Sequence, residues 1–296
     1  MLELLFDGGF LEALDGKMFS SPLDTPLRSV TMNEEISVHL KEAPKVPSCP
    51  IRVLWVGAGG LGCTTALVMA KSAHLLPFSI EGLVVDDDVV SAENLHRQWL
   101  YQEEDIGQSK APLFAKRVEE IAASKGMRWK IRWLQARVLP ENALSLIESC
   151  DLVIEGADNF STKFLVADAA RLAKKPVVHA GVVRWFGYAL ASGPEGKPCL
   201  RCLFEDIPRG RPDTCAISGV VGPLVALVGA LQTKLAIELA MGIGGSTYIH
   251  LDALRGGSIR RRPLRLREDC PGCAPNPKIT SIREELYLPP CEDWSG

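Results

Sequence analysis

The run Gly57-Ala58-Gly59-Gly60-Leu61-Gly62 follows one apolar stretch, Ile51 to Val56, and precedes another, Cys63 to Ala73. Read outward from these glycines, the first stretch is a strand interrupted only by Arg52, and the second is a helix. A GxGxxG run at such a junction lets the backbone turn tightly and approach a phosphate. Unpaired N–H groups at the helix start add positive potential. Downstream, Leu83 to Val85, Ile131 to Leu134, Leu152 to Ile154, Val177 to Ala180 and Tyr188 to Ala191 read as strands. Lys110 to Lys125 and Val166 to Ala173 read as helices. Strands alternating with helices imply βαβ units. The expected fold is therefore α/β, a Rossmann-like, doubly wound, mostly parallel sheet.

Composition sets the outer limits. With 296 residues, 47% hydrophobic and 23% charged, the chain is globular, not collagenous, coiled-coil or wholly disordered. A net charge of -3 gives no global reason to expect a nucleic-acid partner. The longest apolar stretch, Gly219 to Leu231, is broken by Gln232, Thr233 and Lys234. It is too short for a bilayer and reads as a buried core helix, so no membrane partner is expected. The N-terminus lacks the basic start and cleavage site of a secretory signal, which places the protein in the cytoplasm. Residues 1–50 differ from the rest, with eight acidic residues against four basic ones and prolines at Pro44, Pro47 and Pro50. Glu35 to Leu40 is the one strand-like piece there. The segment reads as an appended extension and a Pro-rich linker.

Nine cysteines in a reducing compartment point to metal or chemistry before disulfides. Cys199 with Cys202 and Cys270 with Cys273 form a C-x2-C … C-x2-C pattern. Four thiolates at that spacing close a tetrahedral zinc site and pin the C-terminal strand region to the domain body; redox chemistry or free thiols are the other readings. Cys49, Cys63, Cys150 and Cys291 read as buried thiols.

Asp86 closes the strand after the glycine run, where a ribose hydroxyl would lie. Taken alone, this fits an NAD site. The residues that follow argue for more phosphate than a dinucleotide carries. Asn94, Arg97 and Gln98 sit close together, and Gly107-Gln108-Ser109-Lys110 brings a lysine to a helix start. Arginine grips phosphate oxygens as a fork and lysine acts as a mobile point charge.

The series DxDxVxxxNLxRQ after GxGGLG, then GxxKA, resembles the ThiF/MoeB/HesA superfamily of ubiquitin-activating-enzyme-like adenylyltransferases. The resemblance covers roughly Ile51 to Ala274. It divides the chain into an extension and linker over 1–50, an adenylation domain with its zinc site over 51–274, and a tail over 275–296. It implies ATP-dependent activation of the C-terminal glycine of a ubiquitin-like or sulfur-carrier protein as an acyl-adenylate, with Mg2+. Glu155-Gly156-Ala157-Asp158-Asn159 matches the family's aspartate-asparagine signature, with Asp158 beside the magnesium and the reacting phosphate. By the same resemblance, Gly57, Gly59, Gly60 and Gly62 cradle the nucleotide and Asp86 holds its ribose. Asn94, Arg97 and Lys110 hold the phosphates, and Gln98 belongs to the same motif. Cys199, Cys202, Cys270 and Cys273 take the structural zinc.

Cys215, near the start of the apolar helical stretch, matches a position that carries a catalytic cysteine in some relatives and a dispensable one in others. A downstream sulfurtransferase or conjugating enzyme and a homodimer are the implied partners. The chain stops shortly after Cys273, so no attached sulfurtransferase domain is expected. One feature departs from the pattern: no arginine motif precedes the first strand, Arg28 being the nearest. Arg255, Arg260, Arg261, Arg262, Arg265 and Arg267 cluster before the second cysteine pair. There, Leu264 and Leu266 alternating with arginines read as a strand with a solvated face, or as a surface for an acidic partner. Outside this class, an NAD-dependent oxidoreductase would leave Asn94, Arg97 and Lys110 without a task.

Overall fold

The computed structural model describes residues 50–207, 219–254 and 257–287, all within the compact unit Ala43–Gly296. The glycine run stands between β1 (Ile51–Val56) and α1 (Gly60–Lys71). Then follow β2 (Ile80–Val85), α2 (Lys110–Ser124), β3 (Lys130–Leu134), α3 (Pro140–Glu148), β4 (Leu152–Glu155), α4 (Phe160–Leu172), β5 (Val177–Val183) and β6 (Phe186–Ser192). A short α5 (Arg201–Phe204), α6 (Gly222–Ala240), β7 (Thr247–Asp252) and β8 (Ser258–Pro263) complete the order.

All eight strands form one sheet in the order β3-β2-β1-β4-β5-β6-β7-β8. The run from β3 to β5 is parallel, and β6, β7 and β8 are added antiparallel. After β1 the chain winds toward β2 and β3; after β4 it winds the other way. The crevice beyond the carboxyl ends of β1 and β4 is therefore the topological switch point, where open α/β sheets bind ligands.

Successive β1 residues feed opposite layers, as strand geometry requires. Trp55 is fully buried with Met69, Phe114 and Leu235 under α1, α2 and α6, while Leu54 joins Ile147 and Phe164 under α3 and α4. By length and a mean hydropathy of 1.4, α6 resembles a membrane span. In this fold it lies against α1, β5 and β6, with Leu224, Val225, Val228, Leu235 and Ala236 buried. That matches the core helix expected from its sequence.

Several boundaries differ from the sequence reading. Helix α1 starts at Gly60, before the expected Cys63, because glycine at a helix start leaves the amides open. Helix α4 starts at Phe160, well before Val166, because the Asn159 Oδ1 accepts the Thr162 N–H at 2.8 Å and caps it. The arginine-rich strand runs Ser258–Pro263, not through Leu264 and Leu266. Arg260, Arg261 and Arg262 are exposed on it, Leu264 is buried beyond its end, and Leu266 is exposed. The Glu35 to Leu40 strand, Arg28, Cys49, Cys215, Arg255 and Cys291 lie outside the described residues.

Candidate functional site

Two turns meet at the switch point. The first is the glycine loop. Gly57 has φ +96°, a left-handed conformation that favours glycine, and a Cβ on Gly62 would lie 2.1 Å from the Gly57 carbonyl oxygen. The fold makes no such demand at Gly59, where a Cβ would meet only Gln98 Nε2 at 3.8 Å. The missing side chain leaves the loop backbone open on this side to the close approach of a ligand. Beyond it, α1 opens with no acidic residue in its first turn, so its first amides offer donors to an anion.

The second turn follows β4. Its Gly156 and Ala157 backbone lies 3.3 to 3.4 Å from where a Gly57 Cβ would be, so the two turns touch. Asp158 stands exposed on this turn, and among the described residues no hydrogen bond or ion pair engages its carboxylate. It does not cap α4, since Asn159 does. A carboxylate at the end of a parallel strand, with its oxygens open, suits a hard divalent cation.

The other motif residues line the same crevice. Asp86 ends β2 and accepts N–H bonds from Ala58 (2.7 Å) and Asp88 (2.9 Å). Burial pushes its carboxyl up, against the pull of those two amides and Lys110. Arg97 lies beside the loop: its backbone oxygen is 3.1 Å from the place of a Gly60 Cβ, and its guanidinium donates to Asn94 Oδ1. Gln98 is buried under the loop, and its Oε1 finds no partner among the described residues. Lys110, 4% exposed, pairs with Asp88 at 2.9 Å. Tyr101 ties these pieces together by donating to the Ala58 oxygen at 2.9 Å. The structure thus brings Gly57, Gly59, Gly60, Gly62, Asp86, Asn94, Arg97, Gln98, Lys110 and Asp158 to one crevice.

Sequence reasoning missed two cations. Arg137, in the loop after β3, pairs with Asp87 at 2.8 Å and feels the charges of Asp88 and Asp158. Lys163 of α4 is buried against Glu155. Neither sits in a recognisable motif; the sheet brings them near the crevice.

A second cluster lies elsewhere. The Sγ atoms of Cys199, Cys202, Cys270 and Cys273 lie within 4.8 Å of one another, and Cys199 to Cys270 is 3.7 Å. A tetrahedron with metal–sulfur bonds of about 2.3 Å has sulfur–sulfur edges of about 3.8 Å, so four thiolates here fit zinc. Arg171, at the end of α4, reaches this cluster, whereas Asn159 at its start reaches the crevice. Thirteen helical residues separate the two sites by about 20 Å. Cys63 and Cys150 are buried singly, as expected.

Comparison with known proteins follows the same lines. The model of the ThiF family matches residues 47–273. The chain is 35% identical over 242 residues to the adenylyltransferase and sulfurtransferase MOCS3 of Xenopus laevis, covering 79% of this chain and 50% of that protein. It is 37% identical over 237 residues to the sulfur carrier protein adenylyltransferase of Thermus thermophilus, covering 76% of this chain and 83% of that one. It is 33% identical over 244 residues to the SAMP-activating enzyme E1 of Haloferax volcanii, covering 81% and 86% respectively. The chain therefore spans about half the length of the MOCS3 relatives it matches. Among solved structures, E. coli MccB with MccA-N7isoASN gives a TM-score of 0.63 at 18% identity, over 75% of this chain and 66% of that one. That likeness carries the fold alone.

Proposed function

Because this chain belongs to the ThiF family, we propose that it is an ATP-dependent adenylyltransferase. Its substrate would be the C-terminal glycine carboxylate of a ubiquitin-like or sulfur-carrier protein, activated as an acyl-adenylate. The observation that carries this reading is the contact between the Asp158 turn and the glycine loop, with Arg97 and Lys110 in the same crevice. The names of the Thermus and Haloferax relatives point the same way. An NAD-dependent oxidoreductase would not use Asn94, Arg97 and Lys110.

The loop amides, Asn94, Arg97, Gln98 and Lys110 would bind the phosphates of ATP, and Asp86 would hold its ribose. Lys110 is charge-paired with Asp88, so phosphate oxygens would replace Asp88 as its partner. Asp158 would hold a magnesium ion, which would supply charge neutralisation at the reacting phosphates. The substrate carboxylate, ionised at neutral pH, attacks the α-phosphorus in line and pyrophosphate leaves, giving a mixed anhydride. No general base is needed. Cys199, Cys202, Cys270 and Cys273 would hold a structural zinc, and the Cys215 thiolate would attack the carbonyl of the acyl-adenylate, forming a thioester as AMP leaves. We place the enzyme in the cytoplasm, where thiolates stay reduced, as a homodimer serving a sulfurtransferase. A second reading, activation for protein conjugation, is favoured by the likeness to the SAMP-activating enzyme E1.

With magnesium and a ubiquitin-fold protein ending in Gly-Gly, the enzyme is expected to exchange labelled pyrophosphate into ATP. Cys215→Ala should keep that exchange and lose any covalent adduct sensitive to reducing agent, read by non-reducing gels and mass spectrometry. Absence of exchange with any such protein, together with nicotinamide turnover, would refute adenylation. A wild type that forms no adduct while the substrate still becomes thiocarboxylated makes Cys215 a bystander.

A further inference from the structure

Glu155, the last residue of β4, is fully buried together with His179 of β5, and Lys163 of α4 is 5% exposed beside them. The sheet register sets Glu155 opposite His179, and one turn of α4 beyond Asn159 brings Lys163 underneath. Lys163 Nζ donates to both Glu155 oxygens at 3.1 Å and to the Ala180 carbonyl. His179 Nδ1 lies 2.9 Å from Glu155 Oε2. Burial pushes the Glu155 carboxyl up, yet the neighbouring Lys163 charge and the His179 bond outweigh it and keep the group ionised.

Burying such a trio gains little stability over an apolar one of the same shape. The geometry of this trio serves something else. Glu155 Oε1 also accepts the Ala157 N–H at 2.6 Å, which clamps the turn one residue before Asp158. The Glu155 carbonyl in turn accepts Gln232 Nε2 of α6 at 2.7 Å, and Gln232 Oε1 accepts Thr65 of α1 at 3.0 Å. One buried chain of hydrogen bonds therefore links the Asp158 turn to the helix that starts at the glycine loop.

We propose that Glu155 is a positioning residue for Asp158: its carboxylate, held by Lys163 and His179, grips the Ala157 N–H and fixes where Asp158 meets a divalent cation. This rests on the reading of Asp158 as the ligand of that cation. Glu155 is fully buried with its oxygens taken by Ala157, Lys163 and His179, so it acts through the turn and not as a ligand.

The test is equilibrium binding of Mn2+, followed by electron paramagnetic resonance, to protein saturated with a non-hydrolysable ATP analogue. Deuterium exchange of the Ala157 amide is measured alongside. Glu155→Gln should weaken Mn2+ by about 10-fold or more and speed exchange at Ala157 relative to the α4 amides. Lys163→Arg, which keeps the cation, should bind Mn2+ as the wild type does. A merely structural role would loosen α4 and Ala157 together and leave Mn2+ affinity unchanged. Asp158→Asn separates the two ideas: wild-type Mn2+ binding in this variant overturns the role of Asp158. Weak binding there with wild-type binding in Glu155→Gln overturns the positioning role alone. Should Glu155→Gln fail to fold, His179→Leu removes one donor to the carboxylate, and unchanged Mn2+ binding in it has the same force.

Discussion

Asp158→Ala is expected to lower ATP–pyrophosphate exchange by about a thousandfold, which corresponds to roughly 4 kcal/mol of lost stabilisation. The same substitution should shift the melting temperature by no more than about 2 °C. Both halves follow from where the residue stands. Its carboxylate is exposed, and among the described residues it makes no hydrogen bond or ion pair that its loss would break. The helix behind it stays capped, because the Thr162 N–H goes to Asn159. Asn159→Ala makes the contrasting control, costing about 1 kcal/mol of stability through loss of the cap. On the proposed function the chemical loss is large because Asp158 would hold the cation that neutralises the charge developing on pyrophosphate, and no other described acid lies on the same turn. Arg137, paired with Asp87, feels the Asp158 charge, but an arginine cannot replace an oxygen ligand. Exchange within tenfold of wild type in Asp158→Ala, with the fold intact, would remove Asp158 from the mechanism.

The parts of the fold legible in the sequence are those with one dominant local signal. β1, β2, β4 and β5 are apolar runs buried on both faces, and α2 has its lysine and its amphipathic spacing. Where signals competed, boundaries slipped. Gly60 to Gly62 look like loop because glycine is a poor helix former, yet they open α1. Phe160 to Lys163 look irregular until Asn159 is seen as a cap. β7 alternates Thr247, Ile249 and Leu251 inward against Tyr248, His250 and Asp252, but the polar half hides the pattern. β8 has no buried face at all, so nothing apolar announces it.

The site divides in the same way. Asp86, Asn94, Arg97, Lys110 and Asp158 lie in contiguous motifs and could be read directly. Glu155, Lys163 and His179 are scattered over 24 residues, and only the β4–β5 register and one helical turn make them neighbours. Arg137 likewise gains meaning only from the ion pair with Asp87, 50 residues away in sequence. Long-range contacts of this kind leave no trace in spacing.

Stripping metal from Cys199, Cys202, Cys270 and Cys273 is expected to lower the melting temperature by about 10 °C or more. Purified protein should hold about one zinc per chain beforehand. The reason lies in what else holds residues 264–287. After β8 the described chain has no strand or α-helix, only one 3-10 turn at Glu284–Leu286. It is fastened by Arg171 donating to the Ile279 carbonyl and by Tyr287 donating to Asp168 at 3.0 Å. Asp168 is also gripped by Arg201, which lies between the first two cysteines, so the metal and this ion pair share one anchor on α4. Without metal, three buried thiols would keep their places with no covalent tie. The segment would be held by the Arg171 and Tyr287 hydrogen bonds, the Leu264 N–H bond to the Ser246 carbonyl, the Arg267–Glu205 ion pair and the packing of Leu264, Ile279 and Tyr287. Cys270→Ser should reproduce the loss. Pyrophosphate exchange, measured below the lowered melting point, should fall far less than in Asp158→Ala, because about 20 Å of α4 separate the cluster from the crevice. A fully folded, metal-free preparation with an unchanged melting temperature would show that the four thiols are not a metal site. A metal-free preparation that melts normally until ATP is added, and only then loses exchange, would place the metal in catalysis instead of structure.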